Sequence, residues 1–419
     1  MPSFFRTFVP DMIFLRKYIL LTVLGMVCVQ MSAQGIQHTD TVPVATSMHD
    51  SLTVSILTCT AGQDLYAKFG HTALRIQNYT TGLDIVFNYG CFDASSNNFV
   101  LKFILGQTDY LLQAEHFMFF VGRYQRYGIG VTEQCLNLTA NEKERLFSLL
   151  QQNLQPENQE YRYNWLYDNC TERARDVVAK AIDGKVTYNR ETTPTTTVRQ
   201  LLHQCLADVP WTEFGIDMIL GAEIDKPEDK EVLTFLPEEF RAEANAARIT
   251  ATDGTERSYA DESQTLLPAT PQPEQSNPLT TPLAIFTCLM LAIMLLATLE
   301  MFKWKKQQLW VDVLLHTAQG LAGTLVAFLF FFSVHAGVNT NWLVIIFNPL
   351  MLFYAGWLIR CSLKKKKNTL AYVNLMSLGA FLCLMPVCPQ SFNTAMYPLV
   401  ITLFVRAAVQ AHFTYYGTR

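Results

Sequence analysis

Hydrophobic positions along this chain fall into three regimes: a short apolar block near the start, a long region in which apolar and polar residues alternate, and a run of apolar segments from about residue 282 to the end. The first block, "YILLTVLGMVCVQMSAQG", follows Arg16 and Lys17 and ends in small residues near Ala33. A basic flank, an apolar core and small residues in that order read as a secretory signal over 1–33. The residues ahead of the two charges fit such a signal poorly, and a translation start at Met12 accounts for them. Cys28 is a weak candidate for lipidation, because Val27 stands before it where a small residue is expected.

The middle region, 34–251, has the alternation or β-branched content of strands at "LTVSILTC" (52–59), "HTALRIQ" (71–77), "LDIVFNY" (83–89) and "IGVTEQCLNL" (129–138). "TANEKERLFSLLQQNL" opens with Thr139 and Glu142 at capping-box spacing, and its Leu146, Leu149, Leu150 and Leu154 share one helical face. Further helices are expected at 97–105, 170–182, 197–207 and 213–220, so this region is α+β. Residues 252–281 are rich in Pro, Thr, Ser and Gln and have no apolar period, which marks a linker.

Residues 282–419 hold five apolar stretches near the roughly 20 residues needed to cross a hydrocarbon core, at 283–302, 309–333, 342–361, 370–388 and 395–414. Lys303, Lys305 and Lys306 follow the first, and Arg360 and Lys364 through Lys367 follow the third. The loops after the second and fourth, "HAGVNTN" and "PVCPQSFNTA", carry no Lys or Arg. The positive-inside rule then sets the middle region and the uncharged loops on the outer side, and the basic loops and the C-terminus in the cytoplasm. Arg406 falls inside the last stretch and must find a partner or line a cavity.

A formal net charge of −4 over 419 residues argues against nucleic acid as a partner. Export would bring Cys59, Cys91, Cys135, Cys170 and Cys205 into an oxidising compartment. That number is odd, so at least one thiol stays unpaired, and the sequence does not fix any pairing.

The stretch "YDNCTERARDVV" singles out one of these thiols. Asn169 reads as an N-cap, Glu172 completes a capping-box-like pattern, and Ala174, Val177 and Val178 supply an apolar face, so Cys170 takes the first helical position. The positive end of a helix lowers a thiol pKa there, although most free cysteines are only small buried hydrophobes. A cysteine nucleophile needs a base. Of eight histidines, His38 and His49 lie in the polar stretch after the signal, His116 in "LLQAEHFMFF" and His203 on an expected helix. His71 follows a glycine at the mouth of a strand and makes the best dyad with Cys170. The imidazole wants an orienting group: Asn88, a polar residue among apolar ones in the next strand, is one, and Asp168, Asn169 and Tyr89 are alternatives. No HExxH, CxxC pair, GxSxG or P-loop occurs, and no metal or cofactor is expected.

A histidine on a strand followed later by "NC" opening a helix resembles the circularly permuted papain-like fold of some cell-wall peptidases and lecithin:retinol acyltransferase-like enzymes. A closer resemblance rests on "ILTCTAGQDLYAKFGHTALRI", "DIVFNYGCFD", "NFVLKFILGQTDYLL", "VTEQCLNLT", "YRYNWLYDNCTERARDVV", "GIDMILGAEIDKP" and "FLPEEF", in that order and followed by a helical membrane part. Together these resemble the Bacteroides-type lipoprotein N-acyltransferase family, whose exported part is the Lnb N-terminal periplasmic domain. The resemblance implies a multi-pass protein of the bacterial inner membrane with its catalytic domain in the periplasm. It would move an acyl chain from a phospholipid to the N-terminal amine of a lipoprotein through a cysteine thioester, with the family's Cys and His at Cys170 and His71. Cys91 and Cys135 lie in motifs where the family leads one to expect other residues. A membrane part of five spans exceeds what anchoring needs. His335, Asn339 and Asn341 cluster at an outer loop, with Asn348 and Pro349 just inside the next span, as headgroup ligands or as ordinary loop polarity with a helix kink. The competing functions are a thiol peptidase or amidase of the cell envelope and a non-catalytic envelope assembly factor in which Cys170 is structural.

Overall fold

A computed structural model describes residues 52–92, 98–190, 196–270 and 277–416. The expected signal over 1–33, together with His38 and His49, lies outside the described residues. The exported unit runs β1 (Leu52–Cys59), β2 (His71–Asn78), β3 (Leu83–Cys91), α1 (Phe99–Leu105), β4 (Asp109–His116), α2 (Phe117–Arg126), β5 (Val131–Cys135), α3 (Ala140–Asn153), β6 (Glu160–Arg162), α4 (Cys170–Ala181) and β7 (Gly184–Thr187). It continues with α5 (Val198–Leu206), α6 (Pro210–Ile219), α7 (Lys230–Leu233), α8 (Pro237–Ala246), β8 (Arg248–Ala251), β9 (Glu256–Ser258) and β10 (Gln264–Leu267). Five membrane helices follow: α9 (Pro282–Thr298), α10 (Leu309–Phe332), α11 (Leu350–Leu363), α12 (Leu370–Leu384) and α13 (Met396–Tyr416).

Seven strands form one antiparallel sheet in the order β10-β5-β1-β2-β3-β4-β6, and β7, β8 and β9 form a smaller one. Strand β1 is apolar almost throughout because both of its faces are covered. Val54 and Ile56 pack with Leu146, Leu150, Val177, Val178 and Phe240 of α3, α4 and α8, while Leu57 and Cys59 pack with Phe120 of α2. The expected strands and helices are present, and the Thr139–Glu142 capping box closes in both directions. Strand β4 and helix α2 were not expected. Their sequence "DYLLQAEHFMFFVGRYQR" switches from period two to a helical period without a turn residue between, so neither period is sustained long enough to be read.

Residues 252–281, marked by composition as a linker, instead carry β9 and β10 before the chain reaches the membrane. Strand β10 pairs with β5 at the edge of the large sheet, and Arg257 binds Glu142 at 2.6 Å and the carbonyl of Asn137 at 2.8 Å. An edge strand with both faces toward solvent has no reason to be apolar, and Gln264, Thr265 and Leu266 are all exposed.

The five membrane helices match the five expected spans. The first continues past α9 as a π-helical turn, Leu299–Trp304, which carries Glu300. The third begins as a separate turn, Trp342–Ile345, and resumes as α11 after Pro349. Gly320 and Gly323 on α10 admit this break: a Cβ at Gly323 would come within 2.1 Å of the Asn348 backbone nitrogen. Asn348 serves the same break, donating to the carbonyl of Ile345 and accepting from the backbone of Leu350.

Arg406 is fully buried and has its partners. Its Nε donates to Asp312 Oδ1 at 2.7 Å and its Nη1 to Glu300 Oε2 at 2.5 Å. Gln410 extends the network to Asp312, His316 and Tyr354, and Tyr354 accepts from Asn368. One cation thus ties the first, second and fifth spans together, with the third joined through Tyr354. Removing only the cation strands two carboxylates out of water, which costs about 3–5 kcal/mol. Arg406→Met should therefore lower the thermal unfolding midpoint of the detergent-solubilised protein markedly. Adding Glu300→Gln and Asp312→Asn should recover much of that loss; a midpoint indifferent to Arg406→Met would refute the clamp.

Candidate active site

The helix that begins at Cys170 is set by its cap. Asn169 is extended, and its side-chain oxygen accepts from the backbone N–H groups of Thr171 at 2.8 Å and Glu172 at 3.0 Å. Its amide donates to the carbonyls of Trp165 and Phe235, both at 2.9 Å, so the cap is fixed from the far side as well. Glu172 does not reach back to complete a capping box; it pairs with Arg175 at 3.0 Å. Cys170 therefore sits at the first helical position, as the spacing predicts.

Helix α4 delivers this thiol to the ends of β2 and β3. His71 opens β2 opposite Cys59, and Thr72 beside it hydrogen-bonds Thr171 at 3.1 Å. Strand β3 ends in a register shift between Asn88 and Cys91, with Gly90 at φ +90°. A Cβ at Gly90 would lie 3.3 Å from that of Cys170, so the glycine satisfies a backbone angle that side chains rarely adopt and also clears space for the cysteine. Both Cys170 and His71 keep a partly exposed edge.

His71 Nε2 lies 3.2 Å from Asn88 Oδ1, which leaves Nδ1 as the ring nitrogen for Cys170. Asn88 is held in turn, donating to Glu115 at 2.9 Å, and Glu115 is paired with Arg123 of α2. The other candidate orienting groups are engaged elsewhere. Asp168 binds Arg173, Asn169 caps its helix, and the Tyr89 hydroxyl accepts from Asn153 at 2.8 Å.

Charge follows this geometry. Burial pushes the Cys170 thiol up, but the charge and hydrogen bond of His71, the backbone N–H of Thr72 and the hydroxyl of Thr171 outweigh it, and its pKa ends below the ordinary value. Burial pushes the His71 imidazolium down, and Cys170 and Asn88 carry it above the ordinary value. The neighbouring thiols go the other way: burial raises Cys59, takes Cys91 to about 12 and Cys205 to about 11. All five exported cysteines are free, so a thiolate at Cys170 is set by surroundings and not by pairing.

One residue of this centre escaped sequence reasoning. Tyr161 of β6 is 7% exposed, and its hydroxyl has no hydrogen-bond partner among the described residues. It lies 4.0 Å from where a Gly90 Cβ would be, on the side of Cys170, and the Arg173 guanidinium covers its ring at 4.1 Å. Burial and then the charge of Cys170 hold its pKa far above the ordinary phenol range, so it remains a proton donor to whatever approaches the sulfur. A tyrosine in "EYRYNWLYDNC" carries no period or motif that distinguishes it from a core aromatic.

Of the outer-loop residues, Asn341 and His335 are engaged in contacts within the protein, and Asn339 is not among them. Asn341 caps the turn at Trp342–Ile345 and donates to the carbonyl of Met218 in α6, His335 donates to the carbonyl of Phe103, and Asn339 is exposed. His203 binds Asp217, which also takes Arg199, and Asn393 of the second uncharged loop donates to both Glu213 and Asp217. Trp165, five residues before the cysteine, donates to the carbonyl of Ala336 at 3.3 Å. The two Lys- and Arg-free loops are thus the ones on which the exported unit rests.

The pH dependence follows from the two directions. The Cys170 pKa lies below the ordinary thiol value and the His71 pKa above the ordinary imidazole value, each lowered or raised by the other group, so both directions favour the thiolate–imidazolium form. Iodoacetamide labelling of Cys170, followed by peptide mass spectrometry from pH 5 to 10, should reach its plateau at lower pH than labelling of Cys205. In His71→Ala the Cys170 profile should move up toward that of an ordinary thiol; an unmoved profile would remove His71 from the dyad.

The chain matches two family models in succession. The Lnb N-terminal periplasmic domain covers residues 39–204, and the Lnb transmembrane domain covers residues 273–417. No curated protein and no solved structure matches the chain. With an α+β unit of antiparallel sheet and a five-helix membrane unit matched in this order, the chain belongs to the Lnb family of multi-pass membrane proteins.

Proposed function

We propose that this protein is a lipoprotein N-acyltransferase of the bacterial inner membrane, with Cys170 as nucleophile, His71 as acid and base, and Asn88 as the residue that orients His71. Membership of the Lnb family supports a place in lipoprotein biogenesis at a membrane. The observation that carries the chemistry is a thiol favoured as thiolate, beside an imidazole favoured as imidazolium, in a unit seated on membrane loops. A histidine on a strand and a cysteine at a helix start, in that chain order, also support a circularly permuted papain-like arrangement.

In this reaction Cys170 Sγ attacks the carbonyl carbon of a phospholipid acyl ester and forms a tetrahedral oxyanion. The Tyr161 hydroxyl and the backbone N–H of Cys170, the one at the start of α4 that the Asn169 cap does not take, are the donors suited to it. His71 gives its proton to the departing lysophospholipid oxygen as the C–O bond breaks, leaving an acyl thioester on Cys170. The unprotonated α-amine of the diacylglyceryl-cysteine lipoprotein then attacks the thioester carbon, His71 takes the amine proton, and the C–S bond breaks to regenerate the thiolate. The products are a lysophospholipid and a triacylated lipoprotein.

The test is mass spectrometry of a reporter lipoprotein's N-terminal peptide from a host without its own N-acyltransferase. A third acyl chain is expected with wild type and absent with Cys170→Ala and His71→Ala. A folded, membrane-inserted wild type that adds no chain would favour an envelope peptidase or amidase, and a Cys170→Ser protein with full function in cells would favour an assembly factor. Tyr161→Phe should lower the acylation rate by roughly 100-fold or more, the usual cost of one oxyanion donor, with the Cys170 labelling profile little changed. Equal rates for Tyr161→Phe and wild type would exclude it as a donor.

A further inference from the structure

Helix α1 is too apolar for a solvent-facing helix. Val100 is 46% exposed, Leu101 50% and Phe103 45%, and all three lie within one short element of the exported unit. The helix hangs from the outer end of the second membrane span. Its last carbonyls, which a helix end leaves unpaired, are taken by the membrane unit: Ser333 Oγ donates to Ile104 at 2.8 Å, the Val334 backbone to Leu105 at 3.0 Å, and His335 Nε2 to Phe103 at 2.6 Å. Gly106 makes this possible, for a Cβ there would come within 3.0 Å of the His335 nitrogen. At the same level Phe331, Phe332 and Val334 of the span also face outward. A helix fixed at the end of a span, with its apolar side chains beside those of the span, lies at the boundary of the outer leaflet.

From this helix a file of aromatic rings leads inward. Phe103 stacks on Phe99 at 6.2 Å, Phe99 on Phe92 at 5.4 Å, and Phe92 meets Tyr110 at 5.1 Å. Phe92 is two residues beyond Gly90, the residue against the Cys170 Cβ. Across from it, Tyr66 makes an edge contact with Phe92 at 6.3 Å and is 63% exposed, as is its neighbour Leu65 at 59%. A chain of aromatic contacts, with Phe99 and Tyr110 buried in it, therefore runs from the exposed apolar residues of α1 to the segment that holds Gly90 against Cys170.

We infer that α1 and the Phe92 ring, with Tyr66 opposite, form the portal through which one acyl chain of an outer-leaflet phospholipid rises from the bilayer to Cys170. This deepens the acyltransferase reading and rests on it for the fate of the chain, though not for contact with lipid. The rings themselves are apolar, which suits a hydrocarbon chain, while the charges at its outer edge, Lys102 on α1 and Asp64, which accepts from the Tyr66 hydroxyl at 3.1 Å, suit a headgroup that stays in the leaflet.

The test uses the full chain in phosphatidylethanolamine and phosphatidylglycerol vesicles containing phosphatidylethanolamine labelled in its acyl chains. A photoreactive benzoyl-phenylalanine replaces Leu101, Tyr66 or, as a control, Thr80 in the turn at the far end of β2. Labelled lipid is expected on the first two and not on the third. A Tyr66 position that captures no more lipid than Thr80, or that captures a co-reconstituted lipoprotein in place of phospholipid, overturns the portal. In parallel, acyl-enzyme formation is compared between the bilayer phospholipid and a water-soluble short-chain thioester. Leu101→Glu should lower the ratio of the two rates at least tenfold, and an unchanged ratio counts against the portal. If wild type forms an acyl-enzyme with neither donor, the acyltransferase reading fails, and the crosslinks still decide whether lipid occupies this path.

Discussion

A sulfur anion inside a protein has to be answered by positive charge and oriented dipoles, and much of the exported unit is arranged around that requirement. Cys170 has burial against it, and the balance is reversed by an imidazolium, a backbone N–H and a hydroxyl drawn from the start of β2 and of α4. His71 has burial against it as well, and it is held charged by the thiolate and the Asn88 oxygen. Neither group would be favoured as an ion alone. Their mutual dependence explains why the supporting residues reach so far outward, from Asn88 through Glu115 to Arg123 on a helix across the sheet. It also separates Cys170 from Cys59 and Cys91, which share its surroundings but lack a cation in contact, and whose thiols burial leaves protonated.

The second organising feature is the joint between the two units. Gly221 donates to the carbonyl of Gly337 at 2.7 Å, Glu223 accepts from the Gly337 backbone, and Gln390 donates to the carbonyl of Leu220. With Trp165 bound to Ala336 and Asn393 bound to Glu213 and Asp217, loops from two separate membrane hairpins contact the segment before the cysteine helix and helix α6. The membrane helices are themselves clamped by Arg406 and its carboxylates at 0% exposure. The clamped membrane helices thus hold the loop that the segment before Cys170 contacts through Trp165.

Much of this was legible in the sequence where a local rule dictates the outcome. Asn169 before Cys170 predicts a cap because a short amide fits an extended backbone next to open N–H groups, and five apolar stretches predict five spans because hydrocarbon tolerates little else. Asn88 was readable as a polar residue in an apolar strand, although its reach to His71 depends on the β2–β3 register, in which Leu74 faces Phe87. Other features had no local signature. Tyr161 becomes part of the site through the pairing of β6 with β4, a contact between distant segments. Glu300 and Asp312 become partners of Arg406 only once three spans are assembled. The strands after residue 252 were hidden because edge strands are polar where sequence patterns look for apolar alternation.

The joint at Gly221 also acts as a ruler. A Cβ there would lie 2.3 Å from the backbone of Asn341, so at this point the exported unit meets the membrane loops backbone to backbone, beside the side-chain contacts of Asn341, Gln390 and Trp165. The close contact at Gly221 sets how near the two units approach at this joint. Under the proposed function, an acceptor amine held in the headgroup layer by lipid chains of its own would suit such a joint better than an amine borne on a polymer farther out. For an acyltransferase of the proposed kind, selection of acceptors by height above the membrane would need no recognition of the peptide that follows the amine.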